Sequence, residues 1–394
     1  LALELFRSVP RYVAARAVGD RLPGLVAGPL APLRLVNRDG PELPAADWGR
    51  VRPRLAGICG SDLATISGHS SFYFSPLVSM PFVPGHEVVG ELMDDVEDLP
   101  VGTRVVINPV LACAARGLPP CPSCADGATG RCDRVTVGHV SAGLQTGYCA
   151  DTGGGWSTSM VAHDSQIHPV PDDLDDDAAV MVEPAACAVH GVLGVEGRTV
   201  LVMGAGTLGL CSIAALRRFT TPGTLIASAK HPEQRTWAKE LGADVVVNPS
   251  ETRRMVRRTT GSLRVGAGLS GGVDVVVDCV GSGASLTEAM SVVRPGGTVV
   301  MVGMPSTVTV DLTPLWHREI SVRGSYAYGT ERHEGAPRRT FDLAFELVAD
   351  AGLGRLVTAR YPLDRYREAI DHAANAGSRG AVKVVFDMRG EKRR

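Results

Sequence analysis

From Pro32 to about Pro171 the apolar runs are short, rich in Val and broken by Gly, Pro and Asp, as in Phe82-Val83-Pro84-Gly85, Val88-Val89-Gly90 and Val105-Val106-Ile107. Short β-branched runs between turn-forming residues predict strands, so this half reads as an irregular all-β barrel. The stretch from Leu3 to Val18 is expected to add a strand or a helix at the barrel's edge. After Pro171 the texture changes: Asp172, Asp173, Asp175, Asp176 and Asp177 precede Ala178-Ala179-Val180-Met181-Val182, an acidic cap leading into helix-forming residues at a domain junction. From Arg198 onward apolar strands alternate with amphipathic helices. Val200 to Met203, Leu208 to Phe219, Thr224 to Ser228, Glu233 to Leu241, Asp244 to Val247, Val273 to Asp278 and Gly297 to Gly303 follow one another. That alternation predicts an α/β class with a doubly wound parallel sheet. Arg339 to Ala351 predicts a helix and Ala381 to Phe386 a closing strand, both assigned to the first domain. The expected division is residues 1–183, 184–327, and a segment 328–394 that completes the first.

A chain of 394 residues suits two domains, each able to bury its own core. With 40 basic and 42 acidic side chains the formal charge is −2, and no basic run suggests a nucleic-acid partner. No stretch reaches the roughly 18 consecutive apolar residues of a membrane helix, so no membrane partner and a cytoplasmic location are expected. Nine cysteines is an odd number, and four of them crowd between Cys113 and Cys132. That pattern suits a metal better than a disulfide framework.

Gly204-Ala205-Gly206-Thr207-Leu208-Gly209 fits the G-x-G-x-x-G pattern directly after an apolar strand and directly before an apolar helix. The glycines suit a tight turn, close approach of the backbone to a pyrophosphate, and close packing of helix on strand. At the end of the next strand an acidic residue would bond the ribose hydroxyls. The sequence there reads Ile226-Ala227-Ser228-Ala229-Lys230-His231, with no carboxylate to repel a 2′-phosphate. NADP is therefore favoured over NAD, with Lys230, His231 and Arg235 as phosphate partners and Ser228 as a donor.

Cys121-x2-Cys124-x7-Cys132, preceded by Cys113, offers four thiolates in a segment rich in Pro, Gly and Ala. Four thiolates close a tetrahedral zinc shell and leave no position for substrate, which makes this a structural site. A dispersed constellation of Cys59, His86 and Glu183 offers thiolate, imidazole and carboxylate. Three such ligands leave an open fourth position, as an electrophilic metal requires.

Together these residues resemble the zinc-containing medium-chain dehydrogenases, a family that includes alcohol, sorbitol, threonine and glucose dehydrogenases. The likeness spans about residues 50 to 390. It rests on Gly57-Ile58-Cys59-Gly60-Ser61-Asp62, Pro84-Gly85-His86-Glu87, the four-cysteine lobe, Glu183-Pro184, the glycine fingerprint, Asp278-Cys279-Val280-Gly281 and Arg294-Pro295-Gly296-Gly297. The resemblance implies a GroES-like β-barrel catalytic domain with two zinc ions and a Rossmann domain. It implies that Cys59, His86 and Glu183 hold the catalytic zinc, that Glu87 lies beside the metal and exchanges onto it, that Ser61 starts the proton relay, and that Asp62 orients a ligand imidazole. It also implies a homodimer or homotetramer. Two departures stand out. Ala64 occupies the position where many relatives carry a relay histidine, which leaves water, a cofactor ribose hydroxyl or His69 to finish the relay, and Ala115-Arg116-Gly117-Leu118-Pro119 expands the cysteine lobe.

The implied activity is hydride transfer between a nicotinamide and a secondary or polyol-like alcohol or its carbonyl. Phe72, Tyr73, Phe74 and Trp156 either wall the substrate pocket or pack the barrel. Two rival readings are a zinc-free enone or quinone reductase on the same fold and a nucleotide-binding protein without turnover.

Overall fold

One long strand, Trp48–Gly57, organises the first unit of the computed structural model, which describes residues 1–19, 28 and 31–390. Its side chains alternate: Val51, Pro53 and Leu55 turn inward while Arg50, Arg52 and Arg54 reach outward, the period of two that a half-buried strand requires. Val88–Leu92 and Lys383–Asp387 flank it antiparallel, and Met160–His163 pairs with its first half. Arg104–Ile107, Ile167–Pro169 and Val357–Tyr361 complete a seven-stranded sheet. Val51, Val88, Leu92, Val105, Ile107 and Met160 fill one core cluster. Each such side chain contributes about 1.5–3 kcal/mol by leaving water. The amino-terminal stretch supplies both a strand, Ala2–Leu5, paired with Leu33–Val36, and a helix, Val9–Gly19.

The acidic run before the junction divides its labour. Asp175 accepts from the Ala178 amide at 2.8 Å and caps the short helix Asp176–Ala179. Asp176, only 6% exposed, accepts from Arg54 (2.9 Å), Arg104 (3.3 Å) and Arg389 (3.3 Å), tying two strands and the chain's last turn to one carboxylate. Asp177 pairs with Arg360.

The second unit is a six-stranded parallel sheet. Its order is Val245–Val247, Thr224–Ser228, Thr199–Met203, Val273–Asp278, Val293–Met301 and Ser321–Gly324. In chain order this is 3-2-1-4-5-6, the doubly wound arrangement whose crevice opens where strand order reverses. Its central strands are near-continuous valine runs because helices cover both faces.

By contact density the units are Leu1–Glu183 with Gly352–Arg394, and Pro184–Ala351. The chain therefore returns to the first unit at Gly352, later than the expected residue 328. The helix Thr340–Ala351 explains the difference: it buries Phe341, Leu343, Ala344 and Leu347 and packs on Thr207–Phe219. Arg218 adds ion pairs to Glu346 and Asp350. Among the described residues no helix is long and apolar enough to cross a membrane.

Replacing Asp176 with alanine removes one acceptor from three partly buried guanidinium groups, of which Arg54 keeps Glu91 and Arg389 keeps Asp387. The expected loss is about 2–3 kcal/mol, below the full cost of breaking a buried pair because the arginines keep some water contact. A shift of the urea unfolding midpoint measures it; an unchanged midpoint would show that the network only decorates the surface.

Candidate functional sites

Backbone pairing at the end of Trp48–Gly57 assembles the first site. Gly57 N donates to Glu87 O (2.8 Å) and Ile58 N donates to Val384 O (3.0 Å), so the residue just before one neighbouring strand and the start of the other are drawn to the residues just before Cys59. The result is one compact group in which ligand atoms of Cys59, His86 and Glu87 all lie within 4.8 Å of one another. Glu183 does not join that group. It is buried in the first turn of the helix Val182–Val192 and adds negative charge near Lys383. The expected set was Cys59, His86 and Glu183; the backbone bond from Gly57 places Glu87, the residue adjoining His86, with the first two.

Lys383 is the component that sequence reasoning missed. It is 1% exposed and forms an ion pair with Glu87 Oε2. Burial opposes its charge, but Glu87, Cys59 and Glu183 together outweigh that and hold the ammonium pKa above its usual value. Gly57 makes the pair possible: a Cβ there would stand 1.8 Å from Glu87 Oε2 and 2.7 Å from Lys383 Cε. A signal existed, since Lys383 is the one cation inside the apolar run Ala381-Val382-Lys383-Val384-Val385-Phe386.

Asp62 is 1% exposed and accepts from the Cys59 amide at 3.0 Å, while its other oxygen faces His86 Nδ1 at 3.5 Å. Burial disfavours a charged imidazole, yet Asp62 and then Cys59 raise the His86 pKa well above the ordinary value. With Nδ1 turned to a carboxylate, Nε2 is the nitrogen left for a metal, and it faces Ser61 Oγ at 3.5 Å. A half-buried thiol, a carboxylate oxygen and a ring nitrogen held this close make a mixed sulfur, oxygen and nitrogen donor set that fits zinc.

Around Ser61 the structure supplies hydroxyls rather than the absent histidine. Thr65 Oγ1 donates to Ser61 O (2.8 Å) and shares hydrogen bonds with Ser70 Oγ (2.9 Å) and the Tyr148 hydroxyl (3.4 Å). The Tyr148 ring lies against His86 with centroids 5.9 Å apart. His69 Nδ1 is engaged by Ser67 Oγ at 3.0 Å. Trp156 is fully buried, donates from its indole to Gly57 O (3.0 Å) and meets Phe386 edge to face, so it packs the barrel. Phe72 and Tyr73 are exposed.

The second cluster is the cysteine lobe, where Cys113, Cys121, Cys124 and Cys132 bring their sulfurs within 4.8 Å of one another. Amides of Cys121 and Arg134 point at Cys113 and Cys132 sulfurs at 3.3 and 3.5 Å, as around metal thiolates. Backbone amides of Asp133 and Cys124 pull the Cys121 thiol down to about 7, whereas burial raises Cys124 and Cys132. The expansion noted in the sequence carries the clasp. Arg116, fully buried, donates to the carbonyls of Leu111, Val137, Val140, Ser141 and Gly143 at 2.6–3.4 Å and so wraps the segment after Cys132 over the lobe.

In the second unit the glycine fingerprint joins the strand Thr199–Met203 to the helix Thr207–Phe219. A Cβ at Gly209 would lie 1.8 Å from Gly204 O, so only glycine lets helix and turn meet there. A cavity of about 980 Å³ opens beside this turn. Gly204, Gly206, Ser228, Lys230 and His231 line it, whereas Thr207, Leu208, Gly209 and Arg235 do not. One nitrogen of the Arg235 guanidinium donates to the carbonyls of Ala229 (3.3 Å) and Lys230 (2.9 Å) at the strand end. Across the cavity Asp278 accepts from Val280, Gly281 and Ser285, which fixes the facing loop.

Comparison with known proteins agrees with both halves. Residues 45–172 match the model of the alcohol dehydrogenase GroES-like domain, and residues 207–349 match that of the zinc-binding dehydrogenases. An L-idonate 5-dehydrogenase from Vitis vinifera is 28% identical over 86% of this chain and 87% of its own length. A protein from Arthroderma otae described as a probable D-xylulose reductase A is 31% identical over 82% and 85%. Among solved structures, an E. coli CFT073 short chain alcohol dehydrogenase complexed with NADH superposes with TM-score 0.70 at 26% identity, covering 90% of this chain and 96% of that one. A Sinorhizobium meliloti 1021 structure bound to NADP gives 0.67 at 26%, covering 90% and 95%.

Lys383→Met removes the counter-charge of a carboxylate with almost no water contact. The expected destabilisation is about 3–5 kcal/mol, with much of it recovered in the double variant carrying Glu87→Gln, because the stranded charge then disappears. Denaturant midpoints of the four proteins in the cycle measure it; additive losses would show that the two groups do not interact.

Proposed function

Because the chain belongs to the zinc-binding alcohol dehydrogenase family and is a zinc-type, NAD(P)-dependent dehydrogenase, we propose that it interconverts a secondary or polyol-like alcohol and its carbonyl with NADP. The observation that carries this is the compact group of Cys59, His86 and Glu87 beside Ser61. Zinc bound there supplies Lewis acidity to a substrate oxygen. Cys59, His86 and Glu87 Oε1 hold it; Glu183 lies outside the group and balances charge around Lys383. Asp62 keeps the imidazole oriented. Ser61 takes the substrate hydroxyl proton during oxidation and returns it during reduction. Tyr148, Thr65 and Ser70 continue the route toward half-exposed surface in place of a residue-64 histidine.

The cysteine lobe holds a second, structural zinc, which gives two ions per chain. A polyhydroxylated substrate is supported by the idonate and xylulose enzymes among the relatives. NADP is supported by Ser228 standing where a ribose-binding carboxylate would be and by the cations beside it. The exposed edge strand Ser321–Gly324, with Trp316 at 70% and Leu312 at 56% exposure, supports a homodimer or homotetramer. Nine free cysteines suit a reducing cytoplasm.

Purified protein is expected to carry two zinc ions per chain and to reduce NADP⁺ with a panel of polyols, followed by nicotinamide absorbance. Enone reduction without metal would favour a zinc-free reductase, and cofactor binding with no turnover a non-catalytic nucleotide binder. Glu87→Gln is expected to lose the catalytic zinc while retaining the structural one, whereas Glu183→Gln keeps both. Metal analysis reads this directly, and the reverse pattern would return the ligand role to Glu183.

A further inference from the structure

The dinucleotide cavity carries more positive charge than the strand-end residues supply. Ser228 is buried, accepts from Thr252 Oγ1 at 2.8 Å, and as an uncharged hydroxyl offers a phosphate one proton and no charge. Thr252 opens the helix Thr252–Thr260, whose first turn contains no acidic residue. Instead it presents Arg253, Arg254 and, one turn on, Arg257, all lining the cavity. Cations at a helix N-terminus oppose the helix dipole. Two arginines three positions apart share one face, where like charges repel. Arg253 is neutralised by Glu288, the sole carboxylate among the residues lining the cavity. Arg254 and Arg257 are exposed, and among the described residues no carboxylate pairs with either. An arrangement unfavourable in the empty cavity becomes favourable around a dianion. Lys230 and His231 border the same space.

On the reading that NADP is the cofactor, we infer that Arg254 and Arg257 are its specificity-determining residues, receiving the 2′-phosphate together with Lys230. A forked guanidinium suits a phosphate better than a point charge does, and two of them on one helix face hold it from one side while Lys230 meets it from another. The nicotinamide half needs nothing from this helix, so the contribution belongs to discrimination between cofactors and not to hydride transfer.

The test compares affinities of the zinc-loaded enzyme for NADPH and NADH by fluorescence titration, in the wild type, Arg254→Ala, Arg257→Ala and the double variant, with circular dichroism to confirm folding. The wild type is expected to prefer NADPH. Each single variant should weaken NADPH binding, and the double variant by roughly 10- to 100-fold, as expected for lost charge-assisted bonds, with NADH binding within about twofold of wild type. Adenosine 2′,5′-bisphosphate should compete with NADPH in the wild type and lose that ability in the double variant, while Arg254→Lys with Arg257→Lys restores part of it. A wild type that prefers NADH overturns the NADP reading and this assignment with it. A wild type that prefers NADPH, with a double variant that keeps the preference, overturns this assignment alone. Equal weakening of NADPH and NADH also overturns it, since the arginines would then be contacting the adenosine common to both.

Discussion

Burying charge inside a sheet costs several kcal/mol per ion unless partners are found on the spot, and the first unit is arranged around that requirement. Asp62, His86, Glu87, Glu183 and Lys383 are all at most 5% exposed, and Cys59 stands among them. Their side chains are brought together by backbone pairing: the strand ending at Gly57 bonds to Glu87 on one side and to the strand bearing Lys383 on the other. Lys383 balances one carboxylate, while Asp62 faces His86. What remains is a surplus of donors aimed at one point, which is the condition for binding a divalent cation with a position to spare.

The other two sites solve the same electrostatic problem differently. In the cysteine lobe four sulfurs converge; the buried Arg116 gives its donors to five backbone carbonyls, so the lobe's shape is held by hydrogen bonds and its sulfurs are left for metal. In the second unit the cavity opens beside the turn after Thr199–Met203, next to Val273–Asp278, where strand order reverses. The glycine turn offers neutral donors there, and the strand end and the helix beginning at Thr252 both bring cations to its wall.

Features with local signatures were legible in the sequence. The glycine fingerprint, the cysteine spacing and the alternation of valine runs with helices each follow from a period or spacing of a few residues, and the resemblance added the roles of Cys59 and His86. Features created by register were not. Lys383 lies far along the chain from Glu87 and meets it only because Lys383–Asp387 lies antiparallel beside Trp48–Gly57. Glu87 stands in the compact group for the same reason. Arg235 is suggested by its proximity to the strand end, and its helical position turns one guanidinium nitrogen onto carbonyls; the cavity's cations come from the strand end, as Lys230, and from a later helix that proximity in sequence does not point to. The boundary at Gly352 was missed because apolar periodicity identifies the helix Thr340–Ala351 without saying which sheet it covers.

Anomalous diffraction at the zinc edge, from crystals of the purified chain, addresses the buried cluster most directly. The account requires two peaks per chain, one of them about 2.0–2.3 Å from Cys59 Sγ, His86 Nε2 and Glu87 Oε1 with Lys383 still on the other carboxylate oxygen. A single peak confined to the four cysteines, or a second ion held by residues other than Cys59 and His86, would contradict it.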